Sequence, residues 1–459
     1  PLCARPWTRS RMFTPRFSAG RRVMPVKRSS DDKALFKASP FLSDLVGQGR
    51  WRETGREEIF ADIPGKDEDL NQPSFKDFRR EFRKTLQDPE EAVLSLRQLR
   101  VRTLLALAKA DLEGRIKPYQ VRARLRALSE VLVQGAWRVA ENSLREKYVH
   151  PLILERRNIK PPVAICSLSR LGSGEPFYTT GPVPIFVHSR AAEFAPALTE
   201  NDFSVARRTK KEWLPAREYF HRLARRTMFL LSMPDPGGKG FAYMAEDHFP
   251  DGPPLLPGAL VILFSAFEEH FLGRRSAKER LALLRLRFLV GQDRLGQAVE
   301  AAARTALLRT AQDLGPRLKS VINAWYRDRA KAEGLPLIRG GLLDIERKIR
   351  LLQFQLAGDD PGLLVPSPLK ALDMLTRAGL VNGDERLILS RSYNWQWFLV
   401  NRLCLLGRRP ALDLKELNSG VLDDRLGLPG ASEQTLKMIK SAQDVLADLI
   451  RESRKETAA

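Results

Sequence analysis

The residues best suited to chemistry in this 459-residue chain lie between Val163 and Val187. Two short apolar runs of β-type composition, Val163–Cys166 and Ile185–Val187, flank a turn-rich connector holding Gly172, Ser173 and Gly174. A strand, a glycine-rich turn and a second strand form the local grammar of a phosphate-cradling loop, because backbone amides bind phosphate oxygens without help from side chains. Chemistry on a phosphate asks for more, either a general base or hard cations clamped by carboxylate oxygens. Glu175 stands beside the turn, and Glu246, Asp247 and Asp251 follow further along. The second apolar run is instead preceded by Gly181, Pro182, Val183 and Pro184, which carry no side-chain oxygen. His188, His221, His248 and His270 have no carboxylate at a fixed spacing and are read as incidental. Cys3, Cys166 and Cys404 lie far apart without a CxxC pattern, so neither a zinc site nor a disulfide framework is expected.

Helices must position this stretch. Residues 30–73 mix Gly, Pro, Asp and Lys and read as an extended arm. Helices are expected at Phe75–Thr85 and Glu90–Glu113, the latter with Val101, Leu104, Leu105, Ala108 and Leu112 on one face of a 3.6-residue period. Gly114 and Pro118 punctuate before a helix over Tyr119–Tyr148, with Val121, Leu125, Leu128, Leu132, Ala136 and Val139 inward. A helix at Leu214–Met233 puts Phe220, Leu223, Ala224, Thr227 and Leu231 on one face, and from about Ala277 the chain is helical again. The expected fold is α+β: a small mixed-sheet domain flanked by N-terminal helices and a C-terminal helical bundle. Its divisions are a basic N-terminal extension over 1–73, a helical hairpin over 74–149, the α/β domain over 150–272 and the bundle over 273–459.

The stretch around Gly172 resembles the core of the glutamine-synthetase adenylyltransferase family, a branch of the polymerase-β-like nucleotidyltransferases. The family's glycines fall on Gly172 and Gly174, its glutamate on Glu175 and its Ile-Phe pair on Ile185 and Phe186. Further runs keep the family's order: Ala282 to Asp293, Arg339 to Glu346 with Asp344 and Glu346 in place, and Phe398 to Leu403 with Asn401 near a charged pair. The resemblance covers roughly residues 75 to 450 and implies a nucleotidyltransferase fold with two metal-holding aspartates on the second strand. Those two positions are Gly181 and Val183 here. The expectation is therefore a protein with no catalytic residues, no metal and no cofactor, with Gly172, Ser173 and Gly174 as a possible residual nucleotide site and with Asp344 and Glu346 serving as caps or ion-pair members.

Composition adds a partner reading. Hydrophobic residues at 43% and charged residues at 29% fit a globular chain, and no apolar run is long enough to span a bilayer. The formal charge is +22, and the first thirty residues hold Arg5, Arg9, Arg11, Arg16, Arg21, Arg22, Lys27 and Arg28 without one acid. That is the composition of an organellar transit peptide or of an arm that contacts a polyanion. Arg207, Arg208, Lys210 and Lys211 form a second basic run. Together these predict a mitochondrial (matrix) pseudoenzyme: a structural, RNA-contacting component of a large multi-subunit assembly, the mitochondrial ribosome being the concrete case. The alternative is a peripheral accessory subunit of a respiratory or ATP-synthase complex. A working nucleotidyltransferase with a metal site rebuilt from Glu175, Glu246, Asp247 or Asp251 is the third reading.

Overall fold

The computed structural model describes Ser39 and residues 89–148, 163–189, 211–212, 214, 216–232, 261–273, 277–333, 335, 337–406, 414–426 and 428–456. The basic extension other than Ser39, the expected helix at Phe75–Thr85, Glu246, Asp247 and Asp251, and Arg207, Arg208 and Lys210 lie outside the described residues.

Two long helices, α1 (Pro89–Leu112) and α2 (Pro118–Lys147), open the described chain. Their inward faces follow the expected period: Val101, Leu104 and Ala108 are buried on α1, and all six of the named positions on α2 are buried. Pro118 sits in the first turn of α2, where its missing N–H costs nothing, and Gln120 returns its side-chain oxygen to the Lys117 amide at 2.8 Å. The next helix, α3 (Ala216–Ser232), packs against α2 with Phe220, Leu223, Ala224, Thr227 and Leu231 all buried.

A four-stranded mixed sheet stands between these helices and the rest. Strand β1 (Val163–Ser167) pairs antiparallel with β2 (Pro184–His188), and β2 pairs parallel with β3 (Val261–Leu263). Helices α4 (Phe264–Leu272) and α5 (Ala277–Ala282) then lead to β4 (Arg287–Gly291), which pairs antiparallel with the other edge of β1, giving the order β3-β2-β1-β4. Successive residues of a strand point to opposite faces, and every residue of β1 and β2 is buried, so both faces of the sheet are covered. Pro184 is tolerated because it is the first residue of β2, opposite Ser167 at the end of the ladder. The fourth strand comes from beyond residue 272, so the sheet continues into the segment expected to be purely helical.

Helix α6 (Asp293–Leu314) follows β4 and packs on β1 and β4. The remaining helices are α7 (Leu318–Glu333), α8 (Leu342–Leu356), α9 (Pro368–Arg377), α10 (Gly383–Leu405), α11 (Leu414–Asn418), α12 (Val421–Leu426) and α13 (Ala431–Glu456). Side chains fix where they start: Ser367 caps α9 by accepting from the Lys370 amide, and Asn382 and Glu385 form a reciprocal capping box at α10, at 2.9 and 2.8 Å. The hydrophobic core runs without interruption from α1 through the sheet to α13. No described helix is long and apolar enough to cross a membrane.

Candidate functional site

The connector between β1 and β2 begins with one helical turn over Ser169–Ser173. Gly174, at φ +79°, ends it: its amide donates to Leu171 O at 3.0 Å and the Glu175 amide donates to Arg170 O at 2.9 Å, the paired bonds of a Schellman closure. The Gly172 and Ser173 amides both donate to Ser169 O, at 2.8 and 3.4 Å, and the Ser173 hydroxyl donates to Arg170 O at 2.9 Å. Each N–H of the glycine-rich turn is thus engaged by the turn's own carbonyls. The amide cradle expected from sequence is replaced by a self-closed knot of backbone. Gly172 has a second reason to be glycine: a Cβ there would lie 1.8 Å from the Arg285 carbonyl oxygen and 2.5 Å from that of Ser167.

Beneath the turn runs a buried ionic network. Glu346 on α8, its side chain 2% exposed, accepts from Arg170 at 3.1 Å, Arg285 at 3.2 Å and Arg329 at 3.1 Å. Glu175 is equally buried and lies 3.5 Å from the Arg122 guanidinium, which stacks on Trp397 at 4.6 Å and donates to Asn394. The Tyr393 hydroxyl touches both carboxylates, Glu346 at 2.9 Å and Glu175 more closely. Burial pushes the Glu175 carboxyl above its ordinary range, partly opposed by Arg122, and pushes the Tyr393 phenol well up, with Glu175 adding to the shift. On the same wall, Asp111 receives Tyr178 Oη at 3.1 Å and faces Arg402, and burial raises its carboxyl as well.

On the other side of the turn is a cavity of about 320 Å³. Gly172, Ser173 and Gly174 form part of its wall, and four cationic side chains line the rest: Arg126 from α2, Arg287 from β4, Arg304 from α6 and Lys370 from the first turn of α9. Glu300 is the lining carboxylate, and its Oε1 already accepts from the Phe288 amide at 2.9 Å. Arg287 is held in place by Glu130 at 2.7 Å and by Leu171 O at 3.0 Å. Such a cavity is within the size range of small-ligand sites and carries an excess of positive charge.

The turn residues Gly172, Ser173 and Gly174 thus line a cavity. Gly181 and Val183 are buried, Gly181 O accepting from the Ser169 hydroxyl and Val183 O from the Leu168 amide. Two-metal chemistry needs clustered carboxylate oxygens. Among the described residues no group of three or more His, Cys, Asp or Glu side chains is placed to hold a metal ion. Glu175 and Glu346 turn their oxygens to arginines and Tyr393, so the described residues do not fit a two-metal clamp; Glu246, Asp247 and Asp251 lie outside the described residues. Glu175 faces inward, which removes it from the ligands available to a rebuilt site. Of the basic residues expected to meet a polyanion, Lys211 is described, and its ammonium donates to Arg145 O. His188 and His270 are buried, and His188 stacks on Phe220. Asp344 and Glu346 hold the structural roles expected of them: Asp344 accepts from the Gly340 amide at 2.9 Å and from Arg347. The four cavity cations and the partners of Glu346 had no local signal, because they come from elements far apart in the chain.

The comparisons with known proteins correct the functional expectation. The family model for glutamate-ammonia ligase adenylyltransferase matches residues 58–302. A bifunctional glutamine synthetase adenylyltransferase/adenylyl-removing enzyme of Mannheimia succiniciproducens is 24% identical over 361 residues, covering 76% of this chain and 35% of the relative. Enzymes of the same name from Burkholderia mallei and Burkholderia pseudomallei are 26% and 27% identical over 335 residues, 69% of this chain and 34% of each relative. The chain therefore spans about a third of the length of the curated relatives it matches. These relatives are named as enzymes, which overturns the reading of a non-enzymatic component of the mitochondrial ribosome. The respiratory or ATP-synthase alternative and the labels pseudoenzyme, mitochondrial, ribosomal and RNA-binding fall with it. The step at fault was the one from two missing aspartates to a structural subunit, since losing one ligand set leaves the turn, its cavity and its charges in place. From the turn at Gly172 to the ion-paired Glu346, the retained motifs and the match over 58–302 agree: the chain belongs to the glutamate-ammonia ligase adenylyltransferase family.

Proposed function

We propose that this chain is an adenylyl-handling enzyme that binds an adenine nucleotide beside the Gly172–Ser173–Gly174 turn and transfers an adenylyl group to, or removes it from, a protein hydroxyl. Glutamine synthetase, named in the relatives' descriptions, is the proposed protein substrate. The observation that carries this reading is the turn itself: a glycine fixed by the approach of the Arg285 carbonyl, at the rim of a cavity of about 320 Å³ lined by four cations. In transfer, the acceptor oxygen bonds to the α-phosphorus while the α–β anhydride breaks, and diphosphate leaves with the bonding electron pair. The acceptor's proton passes to solvent. In removal, the oxygen of water or phosphate bonds to the same phosphorus while its bond to the protein oxygen breaks; that oxygen leaves with the bonding pair and takes up a proton, and AMP or ADP is released. The division into a hairpin over 74–149, a nucleotidyltransferase-like domain over 150–272 and a bundle over 273–459 is part of this proposal.

The test incubates the full chain with glutamine synthetase and ATP labelled at the α-phosphate, with magnesium, and in parallel with adenylylated glutamine synthetase and phosphate. Label gained by the first substrate or lost from the second, and abolished by Arg304→Gln with Lys370→Gln, supports the proposal. Absence of label movement in both directions, with a folded chain, refutes it.

A further inference from the structure

We propose that Lys348 on α8 is an acylation site, an amine placed among like charges so that it takes an acyl group from an anionic activated donor, an acyl phosphate or an acyl thioester of coenzyme A. Lys348 stands outside the cavity beside the turn, and its reaction does not depend on the adenylyl-handling reading.

Three observations carry it. The first is placement. Asp344, Arg347 and Lys348 share one face of α8, at helical spacing. Arg347 donates to Asn323 of α7, and Lys319 stands about one turn before Asn323 on that helix, so α7 brings a further cation to the same face. Arg339 precedes Gly340, whose amide donates to Asp344 at 2.9 Å, and the Arg339 carbonyl accepts from Gln443 of α13 at 2.7 Å, which seats another cation at the start of α8. Arg347, Lys319 and Arg339 thus act on Lys348 together with one anion, Asp344. The second is pairing. Asp344 already accepts from the Gly340 amide at 2.9 Å and from Arg347 at 3.1 Å, and Lys348 makes no ion pair among the described residues. The third is access. Lys348 is half-buried, open enough to meet a small reagent yet short of the water that stabilises an ammonium. Burial pushes its pKa below the ordinary lysine value, Arg347, Lys319 and Arg339 push the same way, and Asp344 opposes them. A larger share of the amine is therefore neutral, and the neutral amine is the nucleophile. The charges that discourage its proton also draw in a negatively charged donor. In the reaction the amine nitrogen bonds to the acyl carbon while the bond from that carbon to the phosphate oxygen or the thioester sulfur breaks. The leaving group departs with the bonding pair, and the amine proton passes to solvent. The product is a neutral amide, which ends the repulsion between Lys348 and its cationic neighbours.

The experiment incubates the full chain with acetyl phosphate, and separately with acetyl-coenzyme A, and reads the acetylation of each lysine against time by peptide mass spectrometry. With at least one donor, Lys348 is expected to react about threefold or more faster than the exposed Lys331 and Lys437, and high salt, which screens the field, should shrink that margin. The uncharged reagent N-hydroxysuccinimidyl acetate, which the field does not draw in, should show a smaller margin. Lys319→Gln with Arg339→Gln is expected to bring the Lys348 rate down toward that of the exposed lysines, whereas the charge-keeping Lys319→Arg with Arg339→Lys should keep most of the margin. Both positions are exposed, and thermal melts check that the variants fold. Acetylation of Lys348 no faster than of Lys331 and Lys437 with both donors overturns the proposal, and so does a margin that the glutamine pair or the uncharged reagent leaves unchanged.

Discussion

Replacing Glu346 with glutamine removes one negative charge from beneath three guanidinium groups and leaves the shape of the side chain almost unchanged. In the wild-type protein the two carboxylate oxygens accept from Arg170 at 3.1 Å, Arg285 at 3.2 Å, Arg329 at 3.1 Å and Tyr393 at 2.9 Å, with the side chain 2% exposed. Glutamine keeps one acceptor oxygen and turns an NH2 donor toward groups that are themselves donors. Breaking a buried ion pair by removing one partner costs about 3–5 kcal/mol, because the remaining charge stays buried and unpaired. Two features soften the loss: Arg170 still lies over the Phe177 ring at 4.6 Å, and the Arg329 side chain is 11% exposed. The expected cost is therefore about 3 kcal/mol, at the lower end of that range. With a urea slope of roughly 2–3 kcal/mol per molar, the midpoint of the transition moves down by about 1 M or more. Tryptophan fluorescence is a suitable probe, since Trp397 lies against Arg122 in the same network. A midpoint lowered by less than roughly 0.3 M would show that the three arginines do not depend on Glu346, and the reasoning would be refuted.

Three further outcomes follow from the same structure. Burial holds the Glu175 proton above the pH at which an exposed glutamate releases it, so the stability this group supplies is complete below the unfolded-state value and is lost as pH rises through the raised native value. Asp111 and Glu141 are raised too, so the informative quantity is the difference: stability curves between about pH 4 and 8 should fall less steeply for Glu175→Gln than for wild type, and parallel curves would count against an upward shift of the Glu175 carboxyl. Gly172→Ala forces a methyl group to 1.8 Å from the Arg285 carbonyl, so an unfolding midpoint lowered by at least roughly 2 kcal/mol equivalents is expected, and a neutral result in denaturant titration would mean that the β1–β2 turn and β4 are not in contact. Cys166 and Cys404 are buried and burial pushes both thiols up, so neither peptide should carry an alkyl group after native treatment with iodoacetamide, as read by mass spectrometry; rapid labelling of Cys166 would place β1 outside the core.

The sequence carried the helices well because a 3.6-residue period is a local property: the expected inward faces of α2 and α3 are buried throughout. It carried β1 and β2 within a residue or so, as short apolar runs beside turn residues. Strand β4 escaped, because Phe288-Leu289-Val290 is a brief apolar run inside a long helical stretch, and only its pairing with β1 makes it a strand. Glu346 was readable as an ion-pair member from its motif, but its partners were not, since they stand 17, 61 and 176 residues away. The glycine-rich turn suggested free amides; its own carbonyls take them, a competition that composition cannot reveal. Charge counting pointed to a polyanion over the whole body, whereas the described structure gathers four cations from distant elements at one cavity.

The crossing of Glu346 from α8 to arginines on the β1–β2 connector and on the approach to β4 has a consequence for inheritance. A recombination point placed near residue 272 would look safe from helix boundaries alone, yet it would strip β1 of its β4 neighbour and leave Arg170 without its anion. Neither fragment would hold a complete core, because buried backbone and buried charge would both lose partners. Duplication, fusion or exchange of this unit therefore has to carry at least the span from Arg122 to Asn401 as one block, and breakpoints that survive in related genes should fall outside it.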